Sequence, residues 1–275
     1  MKLLTAAIIT LFSLLTPFCS MAQELFNPGS RAQAMGGAAV TLADCWSVFG
    51  NQAGLANIHQ TELAGSFQSR FLINELALTS GLVVIPVQSS VFAVSVYQFG
   101  KTPFRQNKIG LAYARFITPS LNIGFQFNYY RLSVFEDNRS VGLWGVELGL
   151  QYRISDEFSL GGHVTNPYQT FVETSSGDFK YPCIVNVGCM YRASESFFMV
   201  AEIENRFSEK VIVKTGMEYN LNERIFFRGG ISGKPFQLSA GFGFQVKKLQ
   251  IDLASAYHQL LGNSPSVSFK YQFKK

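Results

Sequence analysis

From residue 61 to the C-terminus the chain alternates at period two, and that is what most limits the folds open to it. Phe236, Leu238, Ala240, Phe242, Phe244 and Val246 alternate with Gln237, Ser239, Gly241, Gly243 and Gln245. Leu121, Ile123, Phe125, Phe127 and Tyr129 do the same against Asn122, Gly124, Gln126 and Asn128. Successive side chains of a strand point to opposite faces, so each run carries one apolar face and one small or polar face. Such runs begin near Leu63, Leu76, Val91, Ile109, Leu121, Gly142, Phe158, Cys183, Phe197, Val211, Ile225, Phe236, Leu249 and Val267. That makes about 14 strands, an even number as closure of an antiparallel bacterial barrel requires.

The links between runs alternate in length. Tight turns fall at Thr118-Pro119-Ser120, Ser155-Asp156-Glu157, Ala193-Ser194-Glu195, Asn220-Leu221-Asn222-Glu223 and Lys247-Lys248. Longer links lie at 100–107, 136–140, 166–181 and 258–265, with shorter ones near Ser208 and Gly233-Lys234. Outer-membrane barrels have short periplasmic turns and longer outer loops, so this pattern places both chain ends in the periplasm. Residues 101–108 and 136–139 read as solvated loops.

Charged residues make up only 15% of the chain, against about 25% in soluble domains. Beyond the N-terminus, however, no run approaches the roughly 20 apolar residues of a membrane helix. Much apolar surface without a spanning helix fits strands that show every second residue to lipid. A soluble β-sandwich also alternates, but its outer face is charged, whereas the polar faces here are Gly, Ser, Asn and Gln with Tyr and Phe toward the strand ends. The expected fold is therefore all-β, a transmembrane antiparallel β-barrel over 61–275 in contact with outer-membrane lipid. Basic residues are scattered, which argues against nucleic-acid binding.

Lys2 followed by the apolar stretch 3–18 and the small-x-small site Ser20-Met21-Ala22 read as a signal peptide over 1–22, with maturation at Gln23. Phe18 before Cys19 argues against a lipoprotein anchor. The remaining cysteines, Cys45, Cys183 and Cys189, are odd in number and do not suggest a disulfide framework.

Residues 23–60 do not alternate and are too few for a domain. Small residues from Ala32 to Ala39, including Met35, Gly36 and Gly37, suit close approach inside a packed lumen. Asp44 is placed to open a short helix containing Trp46, Val48 and Phe49, which Asn51-Gln52-Ala53-Gly54 would close. The expectation is an N-terminal hatch with Met35, Gly36, Gly37, Asp44, Asn51 and Gly54 as its structural residues.

Ser30-Arg31-Ala32 through Met35-Gly36-Gly37-Ala38, then Leu42-Ala43-Asp44 and Asn51-Gln52-Ala53-Gly54-Leu55-Ala56, resemble the start of PorV/PorQ-family outer-membrane proteins. These belong to a broader FadL-like group. The resemblance implies a 14-stranded barrel with its hatch in or under the lumen, and partners among type IX secretion components or secreted cargo. The alternative is a FadL-like channel for uptake of hydrophobic small molecules. Such a channel calls for a continuous apolar pocket, whereas the predicted lumen faces are mostly small, polar and charged.

No catalytic, metal or cofactor site is expected. Glu202 and Glu204 share one strand face and should point into the lumen near Lys214 or Arg228; wall carboxylates of this kind are ordinarily paired rather than catalytic. His59, His163 and His258 offer no zinc spacing, and no serine or other nucleophile is marked beside them.

Overall fold

A computed structural model describes residues 26–101, 104–134, 139–168, 170–174, 177–206 and 211–273; the signal-peptide reading of 1–22 lies outside them. The wall begins with β1 (Glu62–Ser69), β2 (Ala77–Val87), β3 (Ser90–Phe99) and β4 (Phe104–Thr118). It continues through β5 (Leu121–Val134), β6 (Arg139–Arg153) and β7 (Phe158–Thr165). A separate hairpin of β8 (Thr170–Thr174) and β9 (Gly177–Tyr181) follows and pairs with itself. The wall resumes with β10 (Ile184–Ser194), β11 (Phe197–Asn205), β12 (Ile212–Leu221) and β13 (Ile225–Ser232). It ends with β14 (Gln237–Val246), β15 (Leu249–His258) and β16 (Gly262–Gln272). Adjacent wall strands are antiparallel, β7 pairs directly with β10, and β1 pairs with β16 to close a 14-stranded barrel.

Each alternating run in the sequence corresponds to one wall strand, and closure excludes the sandwich. β4 starts earlier than alternation suggested. Arg105-Gln106-Asn107-Lys108 reads as a solvated loop because it is polar throughout, yet it continues the strand and sends Gln106 and Lys108 into the buried interior. A polar lumen removes the apolar signal by which a strand is ordinarily recognised. Arg139 likewise begins β6.

Register gives the lipid-facing surface directly. Val96, Ile109, Tyr129 and Trp144 lie side by side across β3 to β6, and below them lie Val94, Leu111, Phe127 and Val146. The Trp144 ring lies tilted against Tyr129, 4.9 Å between ring centres, and is exposed. Gln98, Asn107 and Arg131 form the next row toward the longer loops. An apolar band edged by aromatic and then polar residues is what a membrane barrel presents to lipid and interface. No helix among the described residues is long and apolar enough to cross a membrane.

The inner face falls into two parts. On β1 to β4 it is mostly apolar, with Ala64, Leu78, Leu82, Val84, Val91, Ala93, Tyr97, Phe99, Ala112 and Ala114 packed against Phe26, Trp46, Val48, Phe49 and Leu55, and with Ser66, Ser80, Ser95, Gln106 and Lys108 among them. This departs from the small, polar lumen expected. β2 carries apolar residues on both faces between Leu82 and Val87, so alternation could not say which face is inside. From β5 to β15 the inner face is mostly polar and charged, with a smaller apolar cluster where Met190 and Val200 meet Ala32, Met35, Ala38, Ala39 and Leu42.

Candidate functional site

Residues 26–61 lie within the barrel. The short helix α1 (Ser30–Ala34) rests on β13 to β16. A positive-φ turn follows at Gly36 (φ 68°) and Gly37 (φ 78°), where a side chain would be strained. Asp44 caps a short 3-10 helix, Cys45–Val48, by accepting from the Trp46 N–H at 2.8 Å. Asn51 does not close that helix, as the sequence suggested. It caps a second one, Gln52–Asn57, accepting from the Ala53 N–H at 3.2 Å. Asx side chains favour helix starts over helix ends, which accounts for the difference. Gly54 is required because a Cβ there would run into the Leu42 carbonyl and the Ser47 hydroxyl.

Between Ser30 and Ala53 the segment travels around the inner wall, meeting the strands in order from β16 back to β5. Ser30 meets Ser266 and Ser268, and the Gln33 amide donates to the Ser264 carbonyl at 2.6 Å. From β14 onward an inward-facing glycine makes room on one strand after another: Gly241 for Ala34, Gly230 and Gly216 for Met35, Gly188 and Gly161 for Val40, Gly149 for Asn51, and Gly124 for Gln52 and Ala53. A Cβ at any of these would collide with the segment. Gly216 faces Gly230, Gly161 faces Gly188 and Gly124 faces Gly149, so the glycines form a shallow track in the wall.

Between β14 and β5, β11 is the strand without such a glycine, and there a carboxylate takes its place. Glu202 accepts from the N–H groups of Ala39 and Val40 at 2.7 and 2.8 Å, from Asn186 at 2.6 Å and from Lys214 at 3.0 Å. Gln151 donates to the carbonyls of Val40 (3.1 Å) and Leu42 (3.0 Å), and Asn51 donates to those of Val40 (2.7 Å) and Leu150 (3.1 Å). The otherwise orphaned backbone groups of a buried irregular segment are thereby satisfied.

Three ionic clusters surround it. Arg31 spans Asp44 (2.7 Å) and Glu218 (2.8 Å), and Glu218 is shared with Arg228, which also binds Asp252 at 2.6 Å. Glu204 pairs with Lys214 at 2.6 Å and Arg206 at 2.5 Å. Glu147 accepts from Lys108, Asn128 and Gln52 at 2.7 Å each and meets His163 at 3.2 Å. Glu202 and Glu204 do face the lumen, and Lys214 is their partner, whereas Arg228 serves Glu218 and Asp252. With its oxygens occupied by four donors, Glu202 is a fastening for backbone. Among the described residues no group of three or more His, Cys, Asp or Glu is arranged to hold a metal. Cys45 is fully buried, and burial pushes its thiol well above the usual value.

On the side of the longer loops the lumen opens into a vestibule of about 440 Å³. Its floor is Phe26, Asn27, Gly36 and Gly37; its sides include Arg70, Phe71, Lys214, Gln237, His258 and Leu261. Below the floor, the segment and the side chains it meets occupy the barrel apart from a pocket of about 60 Å³ between Phe26, Val40, Phe49, His163, Asn186 and Glu202.

The fold as a whole is similar to known structures. The barrel is similar to the CymD monoaromatic hydrocarbon channel, with a TM-score of 0.72 at 14% identity over 92% of this chain and 100% of that one. It is also similar to the toluene transporter TodX of Pseudomonas putida (0.73, 12%, 91% and 100%) and to a FadL homologue of Pseudomonas aeruginosa (0.63, 12%, 90% and 98%). The fold is shared with these barrels. No family model matches the sequence, and no curated protein does. CymD is a channel and TodX a transporter; at such identities the likeness is one of fold.

The sequence pointed to Met35, Gly36, Gly37, Asp44, Asn51 and Gly54, and all six lie in the lumen-filling segment. The structure adds what they rest against: the wall glycines, Glu202, Gln151 and the Arg31 bridge. Glycine at inward parity on strand after strand was a readable signal once the register was known.

Proposed function

We propose that the protein is an outer-membrane channel for uptake of a small molecule with an apolar body, and that residues 26–61 are its plug. The observation that carries this reading is a vestibule open toward the longer loops whose floor is the segment itself. A structural barrel needs no such antechamber, and a general porin leaves its lumen open to water. The similar barrels CymD, a hydrocarbon channel, and TodX, a toluene transporter, support the same reading. The apolar inner face of β1 to β4, which alternation alone did not reveal, anchors one side of the plug.

Passage requires the plug to yield. Its two sides are held differently, by hydrophobic packing on β1 to β4 and by hydrogen bonds and ion pairs from β5 to β16. Polar fastenings can be exchanged for water as a gap opens, whereas a packed apolar face loses its contacts outright. The plug therefore loosens from the charged side.

The test is entry of N-phenyl-1-naphthylamine, an apolar dye that fluoresces on reaching the phospholipid leaflet, into Gram-negative cells with an intact lipopolysaccharide layer. Cells displaying the barrel should take up the dye faster than cells with an empty vector. Equal rates with the barrel present and folded would remove the proposal. The secretion role implied by the PorV/PorQ resemblance rests on the motif over residues 30–56; recovery of secretion components with the barrel, joined to unchanged dye entry, would favour it.

A further inference from the structure

Among the described residues, every outward-facing glycine of the wall strands but one is covered by a neighbouring side chain. Gly65 lies under the Phe269 ring, Gly142 under Tyr129, Gly81 beside Val96 and Gly229 beside the end of Met217. Gly162 on β7 has no atom from elsewhere in the chain within 4 Å of the position a Cβ would take. An uncovered strand glycine leaves bare backbone that a ligand can approach closely. Here it is the floor of a notch of about 520 Å³ in the lipid-facing surface.

Register shows what surrounds the floor. Leu150 on β6 and Val187 on β10 flank Gly162 directly, and Leu148, Val164 and Val185 form the next row toward the longer loops. Leu148, Leu150 and Val187 are exposed, and Ile123 with Tyr113 closes the far side. On the inner side of the same strand Gly161 receives Val40 of the plug, so the wall here is one layer of backbone with the segment behind it. Within a bilayer the occupant of such a notch is chosen by packing, because lipid tails are as apolar as the leucines they touch. A chain lying in the notch is touched on three sides and regains contacts that the missing side chain forfeits.

Charge decides between an acyl chain and a second barrel as occupant. Arg115 is the next outward residue after Tyr113 on β4, toward the short turns, and stands beside Ile123 on β5. It is exposed and has no carboxylate partner among the described residues. Nor does any described wall strand offer an outward carboxylate: Glu62, Glu147, Glu202, Glu204, Glu218 and Asp252 are all buried in the lumen. A second copy has no wall residue with which to neutralise Arg115, whereas a phospholipid brings a phosphate. Three strand spacings, about 14 Å, separate Arg115 from Gly162 along their register row, a span that a glycerol and the first part of an acyl chain can cover.

We propose that the notch at Gly162 is a binding site for a phospholipid of the periplasmic leaflet, one acyl chain lying over Gly162 between Leu150 and Val187 and the phosphate on Arg115. The leaflet follows from the position of Arg115 on the short-turn side of the wall. The site depends on the barrel's place in a membrane and holds whether or not the lumen conducts.

The delipidated barrel in detergent is titrated with dioleoylphosphatidylglycerol and with dioleoylglycerol, which has the same chains and no phosphate, and bound lipid is counted by native mass spectrometry. The protein should hold one phosphatidylglycerol and bind dioleoylglycerol about tenfold more weakly. Gly162→Leu fills the notch with a side chain that meets open space, and should weaken both lipids about tenfold. Gly229→Leu, at an outward glycine already covered, should bind as the unaltered protein does. Arg115→Gln should weaken phosphatidylglycerol alone, to the level of dioleoylglycerol. Retention of the heat-dependent gel shift verifies that each variant barrel is folded. No bound phospholipid, equal binding by Gly162→Leu and the unaltered protein, or Arg115→Gln without effect would each overturn the assignment. A lipid-free dimer in sedimentation that Gly162→Leu dissolves would also overturn it and give the notch to a second copy. Failure of dye entry, by contrast, removes the channel and leaves these outcomes as they stand.

Discussion

Gly230→Val should unseat the plug. The valine Cβ would come within 2.2 Å of the Met35 carbonyl carbon and 2.3 Å of the Gly36 nitrogen, and both obstacles are backbone. Backbone cannot rotate aside as a long side chain does, so either the wall or the segment must move. The wall strand is hydrogen-bonded to β12 and β14 along its length, whereas the segment at Met35 is a turn between α1 and Gly37. The segment therefore gives way. Overpacking of a close-packed site costs about 1–3 kcal/mol and more where relief is blocked, and the upper end applies here. In detergent the variant should retain a closed barrel by heat-dependent gel mobility, and the segment should become accessible to protease. Gly229→Val is the control on the same strand: its side chain points outward, where the nearest atom is the end of Met217 at 3.3 Å. Equal protease resistance in the two variants would show that the glycine track does not seat the segment.

Glu147→Ala should be the most damaging single change in the charged half of the lumen. This carboxylate is buried and receives Lys108, Asn128 and Gln52 at 2.7 Å, with His163 at 3.2 Å and the Tyr130 hydroxyl at 3.3 Å. Lys108 is itself buried, and Glu147 is the carboxylate it pairs with, so the alanine leaves an ammonium without a counter-charge inside the barrel. Removing one member of a buried pair costs about 3–5 kcal/mol, most of it the stranded charge rather than the lost attraction. The expected result is a clear fall in the temperature at which the barrel loses its fast-migrating form. Replacing both partners, Lys108→Met with Glu147→Leu, should recover much of the loss because no charge is then stranded. A double variant as unstable as Glu147→Ala alone would place the cost in the other four contacts.

Strand number and the alternation of short and long links were legible because a lipid-facing wall must repeat its apolar residues every second position. Where both faces are apolar, as along β2, or both polar, as at the start of β4, that signal vanishes. The inner apolar face around Leu82 and Val84 and the burial of Lys108 were lost for this reason. The segment over 26–61 was recognisable by its lack of alternation and its small residues. Its path was not, because the path is written in other strands: Gly124, Gly149, Gly161, Gly188, Gly216, Gly230 and Gly241 become one track only after register places them side by side. The vestibule was hidden for the same reason. Lys214, Ser232, Gln237 and His258 are far apart in sequence and adjacent only through three successive strand pairings.

The central claim is that a folded segment stops the lumen of a barrel made for passage, and single-channel recording in a planar bilayer meets it most directly. The intact protein should show no steady conductance at either polarity, while Gly230→Val should show openings, since a 14-stranded wall without its filling encloses an aqueous path. A steady ohmic conductance from the intact protein, or silence from a folded variant whose segment is exposed to protease, would contradict it.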